Sequence, residues 1–180
     1  GAFGFSADNT IGGTPQCNTW RNSWIDLYRE QRIQYQINLA GKPELASLFA
    51  SLCDKTNGLQ TYFDDITVTP SVLHGDLWSG NIAAVSSSGS SPDSGSDRVA
   101  CLFDPATYYG HHEAEWGMSW CASLGDDFWR GYRRVIPEDP GFRARRPLYT
   151  LYHYLNHYNL FGGGYYGDCI DTLDELLAAA

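Results

Sequence analysis

The clearest periodicity in the chain falls at Leu45, Leu48, Phe49 and Leu52, which stand at i, i+3, i+4 and i+7. That spacing puts all four on one face, so it predicts an amphipathic helix that ends before Asn57-Gly58. Upstream, Trp20, Trp24 and Tyr28 recur every four residues, with Leu27 beside them and Ile33 and Ile37 carrying the pattern to Gly41 and Pro43. This predicts a first helix capped by Asn18 or Thr19, with its aromatic stripe in the core. The Gly-rich first ten residues read as irregular, and Gly12-Gly13 reads as a turn.

The period then changes. Short apolar runs at "SVL" (71–73), "NIAAV" (81–85) and "VACLF" (99–103) read as strands. Between the last two, "SSSGSSPDSGSD" (86–97) is of low complexity and reads as a flexible surface insert within a hairpin. From residue 113 the pattern is helical again, through "EAEWGMSWCASL" and then "DDFWRGYRRV", with Asp126 as its cap. A long aromatic helix from Arg143 to Phe161 stops at Gly162–Gly164, and a last helix holds Leu173, Leu176 and Leu177. The fold class is α+β, mostly helical, around a small β-hairpin element, with no repeat of solenoid period.

Composition narrows what such a fold can do. With 180 residues, 43% of them hydrophobic, the chain suits a single core better than two. A formal charge of −9 argues against nucleic acid and anionic membrane as partners, because both require a basic surface. No run approaches the apolar length of a membrane span and the opening lacks a signal-peptide pattern, so a cytoplasmic protein is expected. Cysteines 17, 53, 101, 121 and 169 form no C-x-x-C pair and read as mostly buried thiols.

Candidate chemistry concentrates in "LHGDLWSGN" (73–81). Phosphoryl transfer needs an acceptor hydroxyl held in line, a group to take its proton, and Mg²⁺ to neutralise phosphate charge. Kinase catalytic loops meet these needs with D-x-x-x-x-N and a later aspartate that follows a strand. Asp76 and Asn81 have the first spacing, and Asp104 follows the run Val99–Phe103. The order His-Gly-Asp, Asn, strand-Asp is more specific than any one part; the competing reading is an Asx-capped turn followed by an unrelated Asp-Pro turn. Gly75 stands where protein kinases have arginine, and Asp-Pro-Ala replaces Asp-Phe-Gly, which favours a small-molecule acceptor. Trp78 offers an apolar face to a sugar, or a hydrophobic plug beneath the loop.

Other motifs weigh less. "GGGYYG" (162–167) satisfies G-x-G-x-x-G but follows a helical segment, so it reads as a helix stop. "HHEAEW" (111–116) has Trp116 where a zinc motif needs its second histidine, and Glu113 and Glu115 read as helix caps or as acceptors for the catalytic loop. His153 and His157 share one helical face, as a metal pair, as ligand-facing residues or as polar members of the core. "RARR" (143–146) reads as a solvated helix start or, in so acidic a chain, as a contact for an anionic neighbour.

Taken together, "FGF" at the start, "DNTIGGTPQCNTW", "LHGDLWSGN", "FDPATYYGHHEAE", "IPEDPGF" and "LYHYLNHYNLFGGGY" resemble the fructosamine/ketosamine-3-kinases, relatives of aminoglycoside and choline kinases. The resemblance runs from Phe3 to about Tyr165. It implies ATP-dependent phosphorylation of the third-carbon hydroxyl of ketosamines, whether small molecules or glycated proteins, leading to deglycation. It further implies Asp76 as base, Asn81 and Asp104 as Mg²⁺ ligands, Trp78 and His157 toward the substrate, and His74 supporting the loop with Glu113 and Glu115. It covers only the larger, C-terminal lobe of a protein-kinase-like fold. The only lysines, Lys42 and Lys55, do not sit in a strand ahead of the loop, so the nucleotide-clamping lobe is not expected within residues 1–180. The chain alone should then be inactive and prone to self-association through an uncovered face. Two alternatives stay open, a non-catalytic module that binds glycated amines or a partner, and another small-molecule kinase of the aminoglycoside/choline group.

Overall fold

The structure, a computed structural model, describes residues 1–86, 98–121 and 124–180. The greater part of the serine-rich insert, 87–97, lies outside the described residues.

The predicted amphipathic helix is α3 (Pro43–Lys55), with Pro43 in its first turn and Leu45, Phe49 and Leu52 buried. The helix before it starts later than the periodicity suggests. It runs without a break through α1 (Trp24–Asp26), a π-helical stretch (Leu27–Gln34) and α2 (Tyr35–Ala40), and ends at Gly41 in the left-handed conformation. Its cap is Ser23, whose hydroxyl accepts from the Asp26 amide; neither Asn18 nor Thr19 caps it. Up to Arg21 the chain is still extended and hydrogen-bonded to Phe3. Trp20 is therefore outside the helix, 48% exposed against Tyr109, while Trp24 and Tyr28 are in the core.

Asn18 has a different role. Its side-chain oxygen accepts from the guanidinium of Arg32 at 2.6 Å, and Arg32, fully buried in the π-helical stretch, also donates to the Cys17 carbonyl and lies 4.1 Å from the Tyr108 ring centre. Hydrogen bonds and an aromatic face thus replace the solvation that a buried cation loses.

Residues 1–8 are irregular, as expected, apart from isolated bridges at Phe3 and Gly4, and regular pairing begins at Asn9. β1 (Asn9–Ile11) and β2 (Thr14–Gln16) form an antiparallel hairpin across Gly12-Gly13. β3 (Ser71–Leu73) pairs with β6 (Tyr108–Gly110), and β4 (Ile82–Ser86) pairs with β5 (Arg98–Leu102) in the register Ile82↔Leu102. The segment after β6 is a tight 3₁₀ helix over His112–Met118 rather than an α-helix. α4 (Gly125–Val135) follows, with Asp126 in its first turn instead of capping it. α5 (Phe142–Phe161) ends at Gly162, and α6 (Tyr166–Ala179) closes the chain.

α5 is the central strut. Leu148, Leu151 and Leu155 are fully buried in one large core that also takes in residues of α1–α3 and α6. A smaller cluster of Leu77, Trp116, Trp129 and Phe142 supports the loop after β3. Arg145 corrects the solvated reading of 143–146, because it is buried and paired while Arg143 and Arg146 are exposed. The cysteines correct another reading: only Cys169 is buried, and Cys101 is exposed. Among the described residues, no helix is long and apolar enough to cross a membrane.

Candidate active site

The site is built where the β3–β6 ladder meets the β4–β5 hairpin. β3 ends at Leu73, whose carbonyl accepts from the Thr107 hydroxyl at 2.6 Å, so the chain entering the loop is tied to the chain leaving Asp104. Gly75 has φ +81°, and a Cβ there would stand 2.2 Å from the Ala106 carbonyl oxygen. Only glycine fits both the angle and the approach. Leu77 points into the smaller core cluster and anchors the loop, and a 3₁₀ turn over Ser79–Asn81 leads into β4.

The hairpin brings the two halves of the motif together. The Phe103 amide donates to the Asn81 carbonyl at 3.1 Å, so Asn81 and Asp104 flank the open end of the β4–β5 ladder. Asn81 Nδ2 donates to the Asp76 carbonyl at 3.0 Å and to Asp76 Oδ2 at 3.1 Å. Asp76 Oδ1 is left without a protein partner among the described residues. Asp104 is exposed, at φ +54°, and its carboxylate likewise has no partner among them. The Asp76 carboxyl is raised above its ordinary value, chiefly by burial and in small part by Asp104, against the lowering influence of Asn81, His74 and His157.

His74 sits between the two segments. Its Nε2 is 3.0 Å from the Phe103 carbonyl, which can only accept, so Nε2 carries the proton; Nδ1 then accepts from the Asp76 amide at 3.3 Å. Both ring nitrogens are thereby occupied with backbone. His157 Nδ1 donates to the His153 carbonyl at 2.8 Å, which leaves Nε2 free. The half-buried Trp78 indole folds over Gly80, where a Cβ would meet the ring at 2.3 Å.

Two glutamates two residues apart take different partners. Glu115 accepts from the His74 and Gly75 amides at 2.5 and 3.2 Å, and burial raises its carboxyl to about 7 against the lowering effect of those two bonds. Glu113 does not reach the loop. It is fully buried and held by Arg145 through two hydrogen bonds of 2.6 and 2.7 Å. Periodicity gave no sign of this pair, since its members are 32 residues apart and Arg145 stands in a run that reads as surface.

His111, His112, Glu113 and Asp139 place potential metal-ligand atoms within 4.8 Å of one another. The Glu113 carboxylate is already taken by Arg145, and His111 Nδ1 is 2.7 Å from the Tyr149 hydroxyl. His111 is lowered to about 4, first by burial and also by the neighbouring His112 and Arg145. The group is a hydrogen-bond network around an arginine, a poor setting for a divalent cation. His153 is likewise buried, and lowered to about 3 by burial and then by His157. "GGGYYG" contains the stop of α5 and a single 3₁₀ turn, with no strand before it.

A base-like aspartate tethered to an asparagine, with a second free aspartate across a hairpin end, is an arrangement suited to phosphoryl transfer. The chain belongs to the fructosamine kinase family, whose model matches residues 1–179. It is 45% identical to the chloroplastic protein-ribulosamine 3-kinase of Arabidopsis thaliana over 97% of this chain and 51% of that protein. It is 37% identical to the ketosamine-3-kinase of Mus musculus over 97% of this chain and 53% of that protein. It thus spans about half the length of the curated relatives it matches. A crystal structure from Thermobifida fusca, of a protein assigned as a fructosamine-3-kinase, has a TM-score of 0.79 at 31% identity, covering 99% of this chain and 59% of that one.

Proposed function

We propose that the protein carrying this chain transfers the γ-phosphoryl group of ATP to the 3-hydroxyl of a ketosamine, a sugar adduct on an amine, and that breakdown of the phosphorylated adduct frees the amine. The names of its relatives favour a ketosamine as acceptor, and the chemistry of the loop favours transfer to an alcohol. The observation that carries this reading is the Asp76–Asn81 pair, with Asp104 close enough for its charge to bear on Asp76.

Asn81 holds Oδ2 of Asp76 and leaves Oδ1 to accept the proton of the attacking hydroxyl. Burial raises the carboxyl and makes it a stronger base than a solvated aspartate. Asn81 and Asp104 offer oxygen donors that suit Mg²⁺, which when bound would neutralise charge on the phosphates. His74 positions Asp76 through the backbone rather than reacting. Trp78 provides an apolar face for the sugar, and the free Nε2 of His157 a hydrogen bond to the acceptor.

In this reading the chain is the acceptor-side lobe of a kinase-like fold, and the nucleotide-clamping elements lie elsewhere in the protein. Val72, Leu102 and Phe103 are exposed beside the site and would make the face against which those elements pack. Left uncovered, this face favours self-association. Residues 1–180 alone should then bind ATP weakly, with Mg²⁺, and turn over negligibly; calorimetry that finds tight binding would contradict that division of labour. The reaction is tested by incubating the whole protein with ATP, Mg²⁺ and fructosyl- or ribulosyl-lysine and identifying the product by mass spectrometry. A phosphorylated ketosamine is expected. ATP consumption that leaves the ketosamine unmodified would overturn the reading.

A further inference from the structure

A cavity of about 600 Å³ lies among α4, α5, α6 and the 3₁₀ helix. Aromatic rings of Trp116, Trp120 and Tyr154 wall it on some sides, and Arg133, Arg143 and Arg146 on others. Its volume falls in the range of about 300–1,000 Å³ typical of ligand sites. Three of the twelve basic residues of a chain with net charge −9 gather here. Their charges are incompletely answered. Arg133 pairs with Glu138 at 3.0 Å, and Glu175 is the only other carboxylate in the lining. Arg146 donates to the Ser119 hydroxyl alone, and Arg143 has no partner among the described residues. Trp120 Nε1 is buried without an acceptor. Two open guanidiniums beside aromatic walls call for an anionic group.

Trp120 also connects this cavity to the candidate active site. Its ring is 5.2 Å from that of His157, whose charge bears on Asp76. Trp120 borders both the cavity and the His157 ring, so it joins the arginines to the surroundings of Asp76. We propose that the cavity binds the acidic side chains that flank the ketosamine-bearing amine of a protein substrate. This rests on the acceptor reading above and names its substrate class: protein-bound adducts in acidic surroundings.

The test is equilibrium binding of three fluorescent peptides to the whole protein and to its Arg143→Gln/Arg146→Gln variant. One peptide carries an unmodified lysine between glutamates, one the same lysine between glutamines, and one a fructosyl-lysine between glutamines. Both arginines are exposed, so the variant should keep the thermal midpoint of the parent. The acidic peptide should bind about five-fold more tightly than its neutral counterpart, a gap that shrinks with added salt and disappears in the variant. Equal affinity for acidic and neutral peptides, or a gap that survives in the variant, overturns the proposal. The fructosyl peptide reports on the acceptor site separately, because its binding should be the same in parent and variant. If it binds no better than the unmodified neutral lysine, the acceptor reading fails, and the proposed substrate class fails with it, whereas a failure confined to the acidic peptide leaves the acceptor reading standing.

Discussion

Glu113 and Glu115 are both buried on the same 3₁₀ helix, but one faces a guanidinium and the other only backbone amides. The first is a fixed ion pair between the 3₁₀ helix and α5, so it braces the scaffold. In the second, burial raises the carboxyl to about 7, and the side chain holds the His-Gly-Asp turn directly. The contrast separates a pair whose loss should unfold the chain from a contact whose loss should loosen the loop.

The largest expected effect comes from breaking the pair. Arg145→Met leaves a carboxylate buried and unpaired and should cost about 3–5 kcal/mol in urea unfolding, whereas Arg145→Met with Glu113→Leu should recover most of it. A smaller loss for Arg145→Met than for the double variant would refute the bracing role. Next is Gly75→Ala, which meets the Ala106 carbonyl at a left-handed φ and should cost about 1–3 kcal/mol. In the whole protein that variant should lose turnover out of proportion to stability, since the clash moves Asp76.

Glu115 should give a pH signature that Glu113 lacks. Its carboxyl is raised from 4.5 to about 7 in the fold, so the folded state binds the proton more tightly. The associated stability is fully present below pH 4.5 and is lost as pH rises through 7. Relative to Glu115→Gln, the parent should therefore weaken by about 2–3 kcal/mol between pH 5 and 7.5, measured by denaturant titration. A flat difference would mean that the two amides hold Glu115 as a carboxylate throughout. The smallest effect is expected at Asp104, where Asp104→Gly relieves the positive φ and should change stability by less than about 1 kcal/mol, in the favourable direction, while removing Mg²⁺-dependent turnover of the whole protein.

How much of this was legible in the sequence depended on the range of the interaction. α3 and α5 were legible because local periodicity dictates them, and so was the hairpin that flanks Asn81 and Asp104, because its two apolar runs border the insert. The three-residue ladders were not. β3 pairs with β6 some 35 residues away, and a strand of that length carries too little pattern to announce its partner. Arg145 reads as part of a solvated helix start, and the burial of Arg32 leaves no sign in the sequence, for the same reason: the groups that make their burial tolerable, Glu113 for one and Asn18 with Tyr108 for the other, are distant in sequence. Trp20 erred the other way, fitting a helical spacing that the extended chain before Ser23 never adopts.

The central claim is that Asp76 takes the proton of the acceptor hydroxyl. Asp76→Asn in the whole protein keeps the side-chain shape and an oxygen near Asn81, so far-UV circular dichroism and the urea midpoint should stay close to the parent. Transfer of the terminal phosphoryl of ATP to a ketosamine, followed by phosphorus NMR, should fall by a factor of about 10²–10⁴. Turnover at the parental rate in a properly folded Asp76→Asn protein would contradict the account.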